Sequence, residues 1–263
     1  MAENNRPCET AAGLSFKMGE ALLRNGAEIF RVQETMERVA RAYGVEEYDV
    51  YVLSNAIFAN AVENGEHIES KLKFVPGSTM HLGRVDAINQ LSREIAMGRY
   101  TVEEASTRLR EITKIPYTRP LFMILSCGVG SACFSYLFGG DQWDALAALF
   151  CGFVLEIFLH LLDRHHVSKF ITNLAASALV AAAAVVLFSL GLGHDLDKII
   201  IGSIIRLVPG IALTTSIRDF LGGDYLSGTI RMIDAFLIGG CIAIGVGAIV
   251  MLYMNLAGGV MPV

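Results

Sequence analysis

Charge is what this sequence has least of. Only 18% of its 263 residues are Asp, Glu, Lys or Arg, against about a quarter in an ordinary soluble domain. The scarcity is local: residues 1–119 hold 15 of the 21 basic and 17 of the 26 acidic side chains, and the 144 residues after them hold six and nine. A shift of that size marks a domain boundary. The charge that remains sums to −5, with no basic patch, which argues against a nucleic-acid partner. The five cysteines form no CxxC or Cys/His spacing. Cys127, Cys133, Cys151 and Cys241 lie in apolar stretches and Cys8 in the polar lead, so no disulfide framework, metal site or cofactor is expected. Residues 1–13 are polar, so no signal peptide is expected. Neither a phosphate-binding loop nor a G-x-S-x-G elbow occurs, and no catalytic residue is assigned.

The charged part, residues 1–115, reads as a small α+β domain. Leu14, Met18, Ala21 and Leu22, then Ile29, Val32, Met36, Val39 and Ala40, recur at helical spacing. Asn25-Gly26 separates the two helices and Gly44 suits a C-cap. The period then changes. Residues 48–52, 56–59 and 70–74 are rich in β-formers, and Asn64-Gly65 is a hairpin turn signal. Two further helices follow, separated by Gly98, with Thr101 and Glu104 forming a capping box at the start of the second. Glu28 and Arg31, one turn apart, read as a solvated ion pair. Ser54, His67 and His81 are the residues a hydrolase triad would need, but nothing in the spacing brings them together.

Residues 116–263 read as a membrane domain. A helix needs about 20 apolar residues to cross the hydrocarbon core, and five segments qualify: 120–139, 143–162, 169–191, 198–217 and 229–254. The fold class is thus a five-helix transmembrane bundle preceded by a small cytoplasmic α+β domain. Loop charges set the direction. The approach to the first span carries Arg108, Arg110, Lys114 and Arg119, whereas the loop at 139–142 has no positive charge. The second loop, with Arg164, His165, His166 and Lys169, is basic; the third, around His194, Asp195 and Asp197, is net acidic; the fourth runs from Arg218 to Arg231. Alternation of this kind predicts the N-terminus inside and the C-terminus outside a plasma or inner membrane. Ala181 to Ala184, and Gly239, Gly240, Gly245 and Gly247, are expected to permit close helix packing.

Ionisable groups at membrane depth are costly and face a partner or a water-filled path. Glu156 lies inside the second predicted span on a face shared with Gly152, His160 and Asp163. Arg206 lies inside the fourth, followed by Pro209-Gly210 and then Thr214 and Thr215. Proline removes a backbone donor, so this helix should break or kink. Broken helices offer free backbone groups to substrate at mid-membrane. Arg206 either pairs with Glu156 or holds a substrate carboxylate in its bidentate fork. Asp234 begins the fifth predicted span and is either an interfacial residue or, like Glu156, a candidate proton-coupling group.

The stretch Arg206-Leu207-Val208-Pro209-Gly210, then Ile217-Arg218-Asp219, Gly223-Asp224, Gly228 and Arg231, resembles the threonine/serine exporter family. So does Gly26-Ala27-Glu28-Ile29-Phe30-Arg31-Val32 in the first domain. The resemblance covers nearly the whole chain. It implies a transporter with no enzymatic activity. Fused members of the family join two dissimilar membrane halves. This chain resembles the larger half alone, which implies the split form with a small membrane subunit as partner. The split form is associated with succinate or other carboxylates, the fused form with threonine and serine. The resemblance places Arg206, Pro209, Gly210, Asp219 and Asp224 in a shared motif; Asp219, Asp224 and Arg231 are expected to gate the cytoplasmic side. The rival readings are a membrane-anchored enzyme, which needs clustered catalytic groups in the first domain, and a channel or sensor gated by that domain. The orientation has a direct check: a periplasm-active reporter should work when fused at Gln142 and at the C-terminus, and fail at Gly223.

Overall fold

The computed structural model describes residues 10–63, 66–75, 80–163 and 167–256. They divide into two compact units, Met1–Tyr117 and Thr118–Val263.

The first unit runs α1 (Ala11–Arg24), α2 (Ile29–Ala42), β1 (Glu47–Val52), β2 (Ala56–Glu63), β3 (Glu66–Phe74), α3 (Leu82–Ala96) and α4 (Val102–Thr113). Local chemistry sets the boundaries. The Thr10 hydroxyl accepts from the Gly13 amide at the head of α1. Gly26, at φ 79°, allows the turn into α2. Thr101 and Glu104 form the reciprocal capping box of α4. Leu14, Met18, Leu22, Val32 and Met36 from the first helix pair meet Ile57 of the sheet and Ile88 and Leu91 of α3 in one core. Inside it the Ser15 hydroxyl donates to the Met36 carbonyl at 2.7 Å and lies 3.0 Å from the Tyr48 hydroxyl, tying α1 to α2 and β1. Burial pushes the Tyr48 phenol up to about 12.

The sheet is antiparallel in the order β1-β2-β3. Its inner face carries Val52, Ile57, Ala59 and Ala61; on the other, Tyr51, Phe58 and Leu72 align across the strands and are exposed. The Asn64-Gly65 turn lies outside the described residues, although Glu63 and Glu66 on either side of it pair in register. At the end of the unit, Arg84 donates to the Ile115 carbonyl through Nε (3.0 Å) and Nη2 (2.6 Å) and stands over the Tyr117 ring.

The second unit is helical: α5 (Pro120–Leu137), α6 (Gln142–Asp163), α7 (Lys169–Ser189), α8 (Leu196–Ile204), α9 (Gly210–Leu221) and α10 (Tyr225–Leu256). Four of these, α5, α6, α7 and α10, are long and apolar enough to cross a membrane. The fourth predicted span, 198–217, is not one helix. It is two, with residues 205–209 non-helical between them. Pro209 lacks the amide that would continue α8 and instead caps α9 at φ −80°, ψ 50°. At 1.5 Å per residue α8 is about 14 Å long and α9 about 18 Å, so neither alone spans a hydrocarbon core of about 30 Å.

Helices in lipid are held by close van der Waals contact, because there is no water to expel between them. A Cβ on Gly202 of α8 would stand 2.6 Å from the Ser135 backbone nitrogen of α5. One on Gly152 of α6 would stand 2.8 Å from Gly128 Cα, and one on Gly245 of α10 would stand 2.6 Å from the Leu174 carbonyl of α7. Of the α10 glycines expected to mediate packing, Gly245 does so; Gly239, Gly240 and Gly247 have no neighbour within 4 Å of an added Cβ. Gly202→Ala should therefore destabilise by about 1–3 kcal/mol, seen as earlier thermal aggregation in detergent, whereas Gly239→Ala should leave the midpoint unchanged.

Candidate functional site at the broken helix

The break is a tight turn. The Leu207 amide bonds to the Ile204 carbonyl, Val208 to Ile205, and Gly210 back to Val208 at 2.9 Å. No side chain caps α9. The opening amides of a helix have no intrahelical acceptor and sit at the positive end of its dipole, which suits an anion.

Arg206 lies in this turn. Its side chain is 51% exposed, and Nε is 3.5 Å from Glu156 Oε2 of α6, whose side chain is only 6% exposed. At that separation the two form an ion pair without a hydrogen bond, and Glu156 Oε2 has no hydrogen-bond partner. The pair brings together the two residues singled out from the sequence. It also leaves much of the guanidinium fork open. Gly152, one turn before Glu156, is buried; His160 and Asp163 continue the face outward and are exposed.

A second cluster locks α9 to α10. Arg231 Nη1 donates to the Thr215 hydroxyl at 3.1 Å, and Arg231 Nε lies 3.5 Å from Asp219 Oδ2. The Asp219 side chain is 10% exposed. Gly228 lets the hairpin close, since a Cβ there would meet the Phe220 ring at 2.9 Å. Asp224 accepts from the Ser227 amide and begins α10. Asp219 and Arg231 thus act directly on each other, with Asp224 at the hairpin tip. Thr214 stands apart: it is exposed and its hydroxyl donates back to Gly210 and Ile211. Thr215, buried one position on, is the threonine that joins the cluster. Asp234 is likewise separate, paired with Lys169 of α7 at 2.5 Å.

Sequence reasoning passed over Asp144. Its carboxylate is fully buried, and Oδ1 accepts from the amides of His194 (2.7 Å) and Asp195 (2.9 Å). Oδ2 accepts from the Asp141 amide at 2.9 Å. Gly193, at φ 99°, makes this approach possible, because a Cβ there would lie 3.0 Å from Asp144 Oδ1. Alongside, Asp141 Oδ2 meets His194 Nδ1 at 2.6 Å. The Asp144 amide, then the imidazole, hold the Asp141 carboxyl below its usual range, and Asp141 holds His194 above its own. Aspartates at positions 141 and 144, three apart at a helix start, were the available signal.

In the first unit His81 caps α3, its Nδ1 accepting from the Arg84 amide. The Ser54 hydroxyl is buried without a hydrogen bond, and the His67 side chain lies outside the described residues. Arg31 Nε is 3.7 Å from Glu28 Oε2 at the surface. Among the described residues no cluster of His, Cys, Asp and Glu is arranged to hold a metal ion.

The profile of the family described as "Putative threonine/serine exporter" matches residues 14–253, across both units, the broken helix and the α9–α10 hairpin. The chain belongs to this family of membrane transporters. It is 26% identical over 231 residues to a protein of Klebsiella aerogenes named "Probable succinate transporter subunit YjjP", covering 86% of this chain and 87% of that one. With the Escherichia coli protein of the same name it shares 27% over 237 residues, 89% of this chain and 91% of the other. A Mycobacterium tuberculosis "Probable threonine/serine exporter" is 23% identical over 236 residues, 89% of this chain but 44% of that longer protein. No solved structure matches.

The two arginines should behave differently when removed. Arg231→Met strips both Asp219 and Thr215 of a partner and should cost about 3 kcal/mol, read as a lower melting temperature in detergent. Arg206→Met leaves the buried Glu156 without its ion-pair partner and should also lower the melting temperature, but by less, because half of the Arg206 side chain is in solvent.

Proposed function

We propose that this chain is the large subunit of a secondary transporter that exports a small carboxylate-bearing metabolite, either an amino acid such as threonine or serine or a dicarboxylate such as succinate. The observation that carries this reading is Arg206: a half-exposed guanidinium fixed at a helix break, beside uncapped amides, and held from behind by one buried carboxylate. A substrate carboxylate fits the open side of that fork and the start of α9 at once. Pro209 and Gly210 keep the turn open. Glu156 holds Arg206 in place between substrates, and substrate competes with it for the guanidinium.

The α8–α9 pair serves as the fourth of five crossings, in the manner of the discontinuous helices of other transporters. The first unit and the α9–α10 hairpin then face the cytoplasm, and the C-terminus lies outside. Asp219, Thr215 and Arg231 hold α9 to α10 so that the two move together, with Asp224 at the turn; this is the gating role we give them. We read Asp234, which pairs with Lys169, as a structural interfacial residue and Glu156 as the coupling group. Five crossings by this chain leave the second half of the pathway to a small membrane subunit, in keeping with the word subunit in the names of the enterobacterial relatives.

Cells loaded with labelled threonine, serine or succinate should lose one of them faster when they make this chain with its membrane partner. Arg206→Ala should abolish that efflux, and Arg206→Lys, which keeps the charge without the fork, should restore only part of it. Efflux from Arg206→Ala cells at the unaltered rate would sink the reading.

A further inference from the structure

Four serines of the membrane unit obey one rule. Ser177, Ser189, Ser203 and Ser216 each donate to a carbonyl one turn back on their own helix, the usual way to satisfy a hydroxyl in a helix surrounded by apolar groups. Ser131 and Ser135 of α5 depart from it, as does Ser227 of α10. The two α5 serines are 1% and 0% exposed, and neither hydroxyl has a hydrogen-bond partner. An unsatisfied buried hydroxyl is destabilising, so two of them one turn apart call for a reason.

Both point into the seam where α5 meets α6 and α8. Ser131 Oγ is 2.6 Å from where a Gly152 Cβ would stand. Ser135 packs on Gly202, and its Oγ is 3.0 Å from where a Gly140 Cβ would stand. One turn before Ser131, the Cys127 carbonyl is 2.9 Å from where the same Gly152 Cβ would stand, and Gly152 is itself one turn before Glu156. Glu156 Oε2 is another buried atom without a hydrogen bond. At the other end, Gly140 adjoins Asp144, whose neighbours are Asp141 and His194, and these last two are half-exposed. Polar groups therefore follow one another along a single seam, from the carboxylate that holds Arg206 to an imidazole at the opposite end of α6.

We propose that the α5–α6–α8 seam is a proton path joining Glu156 to the His194–Asp141 pair. This rests on the transport reading above. A hydroxyl both donates and accepts, so Ser131 and Ser135 each release one proton as they receive another and end unchanged. Glu156 gains the proton and becomes a neutral acid, which frees Arg206 for a substrate carboxylate. At the outer end His194 passes between imidazolium and imidazole. The charged groups facing it are Asp141 and Asp144 from the α5–α6 side and Asp195 from its own loop. A metal cation at Glu156 would be set against the Arg206 guanidinium, which excludes it; a proton cancels the carboxylate instead.

The full chain and its membrane partner, reconstituted in phosphatidylethanolamine–phosphatidylglycerol vesicles with labelled succinate or threonine and an internal pH dye, provide the test. In the unaltered protein a pH gradient should drive accumulation, with a matching dye response. The double variant Ser131→Ala, Ser135→Ala should lose both, yet keep exchange of labelled for unlabelled substrate. It should also melt no lower than the parent, because each substitution removes only an unsatisfied group. Full pH-driven accumulation in the double variant overturns the path. So does a lower melting temperature with exchange lost, which is what a purely structural role would give. A sodium gradient replacing the pH gradient overturns the proton path while leaving the transport reading intact, whereas no exchange by the unaltered protein overturns both.

Discussion

A backbone amide in hydrocarbon has nothing to bond to except the protein, and the membrane unit is arranged around that constraint. It explains why four of its helices run unbroken for 18 to 32 residues. It also explains why the one interruption is a turn whose amides bond back within three residues of themselves. The cost of the break falls on what surrounds it. Glycines at 152 and 202 bring neighbouring helices close, and the only cation in the turn is steadied by a buried acid. A break tolerated at such cost in a segment otherwise apolar enough to span is itself a sign of use.

The three buried acids of this unit show how environment separates structure from chemistry. Asp144 accepts three amide hydrogen bonds and has no remaining task but to join two loops. Asp219 is closed in by Arg231 within a helical hairpin. Glu156 has only a long contact to a half-exposed guanidinium, so its partner is the easiest to borrow. Burial alone would have ranked Asp144 first. Counting donors reverses the order.

Where the sequence was legible, the signal was local. The capping box at Thr101, the left-handed glycines at 26, 44 and 98, the change of period at Tyr48 and the break at Pro209-Gly210 each need only a few neighbouring residues. The Arg206–Glu156 pair was legible for a different reason, since charges at membrane depth are rare enough to be matched by elimination. What stayed hidden was non-local. Asp144 bonds to amides 50 and 51 residues away, and no composition or period announces that. Thr214 and Thr215 look alike in sequence, and only the rotation of α9 about its axis decides that Thr215 reaches Arg231. The glycines of α10 failed in the same way: Gly245 meets a neighbour and Gly239 does not, according to which face α7 covers.

One feature of α10 has a mechanical consequence. Its 32 residues make a rod of about 48 Å, against a hydrocarbon thickness of about 30 Å. The excess requires the helix to tilt steeply or to stand proud of the bilayer. One end is clasped to α9 through Arg231, and the far half packs against α7 at Gly245. That makes α10 a lever with its fulcrum in the lipid. Any rocking at the Gly245 contact would be magnified at the clasped end, which is tied to α9 and so to the turn at Pro209.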